Sequence, residues 1–295
     1  MGLPAMSVEQ AAEVAAPKLR RRRKFSTGSA LLDLLLLVIG LVMVSPLVWM
    51  VVQALTEAGS AFSLPPNWLP IPFSLDNFAQ IEGLIPFGRM ALNSILVAVI
   101  STVGSLFIAV LAAYAFSRID FRGKQGIFVL MLSALMVPGQ LIVIPVFILM
   151  RTLGLVDNLA SLWLPALINV FAIFFLRQYF NTIPRELDEA ARIDGAGHFW
   201  ILFRMLVPLS GPALSALAVL GFEASWNNYF TPLIFLSSPE QMTLPVGLVS
   251  LQAAQGGSSV VVFAAVTAVV LPILVLFLVF QRHFVASIAQ SGLRG

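Results

Sequence analysis

The sequence predicts an all-α, polytopic membrane protein with six transmembrane helices and both termini in the cytoplasm. Three observations predict it. Of 295 residues, 59% are hydrophobic and only 11% charged, against about 25% charged in soluble domains. Six long stretches carry no charge. Lysine and arginine gather in alternate segments between those stretches.

A bilayer core of about 30 Å needs roughly 20 apolar residues in helical form. The intervals Asp33 to Glu57, Arg89 to Arg118, Lys124 to Arg151 and Asp157 to Arg177 enclose 23, 28, 26 and 19 uncharged residues. A fifth lies between Arg204 and Glu223 and continues through Trp226 to Phe235. The sixth runs from Val260 to Phe280, after a Gly/Ser-rich stretch over 255–259. None alternates apolar and polar residues as barrel strands do. Pro138, Pro145 and Pro165 fall inside spans, where proline bends a helix and frees carbonyls.

With the N-terminus inside, fifteen of the seventeen Lys and Arg residues fall on the inner side, leaving Arg89 and Arg151 outside. That bias fixes orientation. The first apolar run is too long for the core of a cleaved secretory signal and reads as a retained anchor. Residues 1–28 form a basic tail, largely disordered, and 29–295 the transmembrane domain. The proline-rich segment 56–87 is expected to be irregular, with one short helix near 75–81. Segment 237–259 is expected to be a longer, nearly uncharged loop.

The inner loop 181–208 is the most charged stretch after the tail. Pro184 suits the start of a helix, Glu186, Asp188 and Glu189 suit its first turn, and Gly195 suits its end. A second helix follows from His198, and Pro208 is expected to open span five. Leu187, Ala190, Ala191 and Asp194 recur at helical spacing, a small-residue face suited either to docking in a groove or to resting on lipid headgroups.

Other chemistry is thin. There are no cysteines, so disulfides and thiolate sites are excluded. No GxxxxGK[ST] loop occurs, so the chain is not expected to hydrolyse ATP, and energy must come from another subunit or from an ion gradient. His198 and His283 have no second ligand at metal spacing, and no nucleic-acid-binding or paired-carboxylate constellation appears. Glu223 is the one strong intramembrane carboxylate, followed by Trp226, Asn227 and Asn228. These residues suit a translocation path, helix–helix contacts or, for Glu223, a coupling role in a gradient-driven carrier.

Glu189-Ala190-Ala191, then Gly195, then Met205 and Val207-Pro208 at their spacing, resemble the EAA motif of binding-protein-dependent ABC importer permeases, with Met205 and Val207 standing where Ile and Leu are usual. Asn93-Ser94, Ala112 to Phe116, Phe121-Arg122-Gly123, Leu153-Gly154-Leu155, Trp226-Asn227 and Gln281-Arg282 resemble the carbohydrate branch, in particular its maltose-type G subunit. The resemblance implies a core permease module over about 89–282 in a prokaryotic inner membrane. It implies a second permease subunit, two copies of an ABC ATPase and an extracytoplasmic solute-binding protein. It makes Glu189, Ala190, Ala191, Asp194, Gly195 and Pro208 the ATPase-coupling residues. ATP and any other cofactor would be bound by partners, and this chain would not be an enzyme.

Overall fold

The computed structural model describes residues 27–57, 68–254 and 259–292. The basic tail, the middle of the first proline-rich segment and the extreme C-terminus lie outside the described residues, as do the side chains from Gln281 onward. The chain forms two units, 1–48 and 49–295. In the first, helix α1 (Thr27–Ala54) begins, and its Leu, Ile and Val side chains over 31–48 stand exposed. A helix apolar on every side finds its natural solvent in lipid.

The second unit is organised by one long helix. After α2 (Asp76–Leu84) comes α3 (Phe87–Arg118), 32 residues in length. There follow α4 (Lys124–Ser133), α5 (Gly139–Thr152), α6 (Ala160–Ala166), α7 (Val170–Thr182), α8 (Glu186–Ile193), α9 (His198–Leu209), α10 (Gly211–Trp226), α11 (Phe230–Phe235), α12 (Leu244–Ala254) and α13 (Ser259–Gly292). Among the described residues there is no strand, only an isolated bridge between Thr56 and Phe73.

Four segments are long and apolar enough to cross a membrane: 31–54, 87–118, 160–182 and 260–279. Two further pairs, α4 with α5 and α9 with α10, are bent by 104° and 78°, and bring the number to six if each pair counts as one span. The sharper bend falls at Val137 and Pro138, since proline lacks the N–H that a continuing helix needs.

Helix α3 packs along α7 and α10. Its buried side carries Ala98, Ser101, Ser105, Ala109 and Ala113. Such small side chains let helices approach closely where no hydrophobic effect drives them together. At its start, the Asn93 amide donates to the carbonyls of Glu240 and Met242 at 2.8 and 2.9 Å, and Ser94 Oγ accepts from the Leu244 N–H at 2.8 Å. Segment 237–259 is therefore not a plain loop. It contains a short 3₁₀ turn and the apolar helix α12, both tied to α3. The helix expected near 75–81 is α2, displaced by a few residues.

A second clamp holds the far end of α11. Asp157, at φ 59°, donates its N–H to the Phe235 carbonyl at 2.8 Å. Its carboxylate accepts from the N–H groups of Ser237 and Ser238 at 2.8 and 2.9 Å and from the Ser238 hydroxyl. The Ser238 hydroxyl, then the two amides, hold this carboxyl below its usual range. A carboxyl depressed in the fold stabilises above its unfolded pKa of about 3.9, and that contribution is lost as pH falls through the lower folded value. Amide-exchange protection at Ser237 and Ser238 is expected to hold from neutral pH down to about 4 and to fall below it. Asp157→Asn tolerates the left-handed backbone but should lower protection throughout and remove the acid step.

Candidate functional site

The loop between α7 and α10 folds as helix, glycine bend, helix. Helix α8 ends in a Schellman motif: the Gly195 N–H donates to the Arg192 carbonyl at 3.0 Å and the Ala196 N–H to that of Ala191 at 2.9 Å. Gly195 sits at φ +83°, a conformation that glycine adopts without steric penalty. Helix α9 runs through Pro208 rather than ending before it. The six residues Ile201–Leu206 upstream wind as a π-helix, and the chain breaks at Ser210. Pro208 therefore lies inside α9, and the next helix opens at Gly211. A proline withdraws one donor, and local π winding accommodates such a loss.

One side of α8 is fixed to the chain's own core. Asp188 and Ala191, three residues apart, point inward and are buried. Asp188 Oδ2 lies 2.8 Å from Arg118 Nε, at the last residue of α3, and both side chains are at least nine-tenths buried. Arg118 Nη2 also donates to the Ile183 carbonyl at 2.8 Å. Arg185 donates to the Ser117 carbonyl at 3.0 Å and Arg177 to that of Phe116 at 3.1 Å. The Arg177 guanidinium lies 3.9 Å above the Phe128 ring. Burial pushes the Asp188 carboxyl upward, opposed by the guanidiniums of Arg118, Arg192 and Arg185. From α9, His198 Nδ1 meets the Tyr114 hydroxyl at 2.8 Å.

The opposite side of α8 is bare. Glu186, Glu189, Ala190, Ile193 and Asp194 are all exposed, Ile193 at 88%. Just beyond the bend, Phe199 and Trp200 are exposed at 74% and 53%. The two adjacent alanines thus serve different sides: Ala190 faces out, and Ala191 packs inward against the core. Ala191, Asp194, Gly195, Ala196, Trp200 and Met205 line a recess at the bend, so three positions of the motif meet there.

The intramembrane candidates separate. Glu223 is exposed and accepts from the Asn227 amide at 2.7 Å, one turn on. Trp226 is fully buried, and its indole N–H reaches the Val269 carbonyl at 3.3 Å, joining α10 to α13. Asn228 caps α11, accepting from the Thr231 N–H at 3.2 Å. Of the four, Asn228 lines a cavity of about 210 Å³ bounded by α3, α6, α10 and α11. Sequence reasoning passed over most of that cavity's polar lining and the Arg118–Asp188 pair. Ser94, Ser101 and Ser105 do form a stripe at helical spacing within span two, and that periodicity was a usable signal.

Residues 105–290 match the family described as the binding-protein-dependent transport system inner membrane component. The chain belongs to that family. It is 38% identical over 229 residues to the arabinooligosaccharides transport system permease protein AraQ of Halalkalibacterium halodurans, covering 77% of this chain and 81% of the relative. Against AraQ of Bacillus subtilis it is 32% identical over 280 residues, covering 94% and 100%. Among solved structures it resembles a bacterial ABC transporter involved in the import of the acidic polysaccharide alginate, with a TM-score of 0.78 and 25% identity, covering 89% of this chain and 100% of that one. As a member of this family, the chain is a multi-pass inner-membrane protein of a transport system.

Proposed function

We propose that this chain is one of two different permease subunits of an ATP-driven importer for sugars or related solutes. It forms half of the path with six spans and both termini in the cytoplasm. Two copies of a separate ATPase engage the cytoplasmic loop 181–208, and an extracytoplasmic binding protein delivers the solute. Glu189, Ala190, Ala191, Asp194, Gly195 and Pro208 carry the coupling. Exposed groups of α8 meet the ATPase, while Ala191, Gly195 and Pro208 shape the support behind them. The sugar class is supported by what the relatives are named for.

One observation carries this reading. Helix α8 is rigidly held to the end of α3 by a buried ion pair, yet its other side is exposed and partly apolar. An exposed isoleucine beside small and acidic residues suits a groove on another protein. A push on that side travels through Asp188 and Arg118 into span two. The alternative, a self-contained gradient-driven carrier using Glu223, is not favoured, because the chain belongs to a family of binding-protein-dependent systems.

The chain has no cysteine, so Ala190→Cys provides a unique thiol. In membranes that import solute, a short crosslinker from this thiol is expected to capture a nucleotide-hydrolysing subunit. Continued transport with no such capture would overturn the assignment.

A further inference from the structure

The cavity beside Asn228 is unusual in its chemistry. Ser101, Thr102 and Thr243 line it at 5%, 7% and 4% exposure, and none of their hydroxyls has a hydrogen-bond partner among the described residues. Hydroxyls on helices can bond back to a carbonyl of the preceding turn, as Ser105 does to Thr102 at 3.1 Å. Ser101 and Thr102 on α3 do not, nor does Thr243 just before α12, and the three converge on one space. Buried polar groups without partners are rare in native proteins and call for an explanation. No charged side chain lines the cavity.

We propose that this cavity is a binding site for one ring of a neutral, polyhydroxylated solute. The inference rests on the chain being a path-forming subunit, and it adds the solute class and the residues that hold it. A sugar hydroxyl is donor and acceptor at once, as are those of serine and threonine, so each can satisfy the other in either sense. Between transport cycles, water fills the same role, since a polar space of this size holds ordered water. An anionic sugar is disfavoured, because its charge would be desolvated with no counter-charge in reach.

The test uses the assembled transporter in proteoliposomes, with Ala224, which lines the cavity, replaced by the only cysteine in this chain. Modification by a small methanethiosulfonate is timed with a mixture of neutral pentoses and hexoses, and separately with glucuronate. The neutral sugars are expected to slow modification at least threefold and glucuronate to leave it unchanged. The isosteric pair Thr102→Val and Thr243→Val should abolish the protection, so that modification runs at the same rate with and without neutral sugar. Absent protection with ATP hydrolysis intact overturns the site. Equal protection by glucuronate overturns its neutrality, and protection that survives the double variant overturns the assigned residues. A transporter that never couples to an ATPase fails at the earlier reading, and that result is distinct because it appears in the parent.

Discussion

Asp188→Ala is expected to destabilise the protein by about 3–5 kcal/mol, the usual penalty when one partner of a buried ion pair is removed. Arg118 would keep its bond to the Ile183 carbonyl but lose the carboxylate 2.8 Å from Nε. That loss is a large fraction of a typical fold's stability of about 5–15 kcal/mol. The midpoint of thermal unfolding in detergent, followed by tryptophan fluorescence, checks it. Replacing both partners together, Arg118→Met with Asp188→Leu, should restore most of the stability, because buried pairs are often matched by apolar residues of similar volume. Import measured on the same double variant separates anchoring from coupling. If the ion pair conveys the push from α8, transport stays depressed although the fold has recovered. If it is only a staple, transport returns with stability.

If loop 181–208 couples to an ATPase as proposed, Glu189→Lys and Gly195→Val abolish import while the protein still inserts into the membrane. They act differently. Glu189 is exposed, so reversing its charge leaves this chain's packing intact and alters only the surface offered to the ATPase. Gly195 has open space around it, so a valine side chain meets no clash there. The penalty comes from the backbone at φ +83°, where a side chain costs about 1–2 kcal/mol and a β-branched one is a genuine outlier. The bend then relaxes, and the exposed side of α8 turns away from its partner. Uptake of labelled sugar and co-purification of the ATPase are the readouts. Normal values of both in both variants would refute the coupling role of the loop.

The membrane class was legible because charge is so sparse that its gaps mark where the apolar helices lie, four of them long enough to cross alone and two as bent pairs. The helix–bend–helix form of loop 181–208 was legible because Pro184, the acidic first turn and Gly195 are local signals that act within one helix. What escaped was long-range. That Asp188 faces Arg118 across 70 residues depends on which side of α8 turns inward, and the pattern Leu187, Ala190, Ala191 and Asp194 suggested a single small-residue side. The chain instead puts Ala190 and Ala191 on opposite duties. The span-five proline misled by position: Pro208 sits within α9 because π winding takes up its missing donor. Trp226 looked like a path residue beside two asparagines, yet its indole reaches a backbone carbonyl of the last helix. Aromatic size and one N–H serve helix contact as well as they serve a sugar, and sequence does not separate the two.

The length of α3 has a mechanical consequence. At ~1.5 Å per residue its 32 residues extend roughly 48 Å, and both ends are gripped, by Arg118–Asp188 at one and by Asn93 and Ser94 at the other. The hydroxyl-lined cavity lies beside the middle of this rod, where Ser101, Thr102 and Ser105 face it. A tilt of about 10° moves each tip by about 4 Å in opposite directions, on that same ~1.5 Å rise. If α3 pivots at its middle, beside the hydroxyl-lined cavity, a small stroke at the loop reaches its other end as an equal and opposite one.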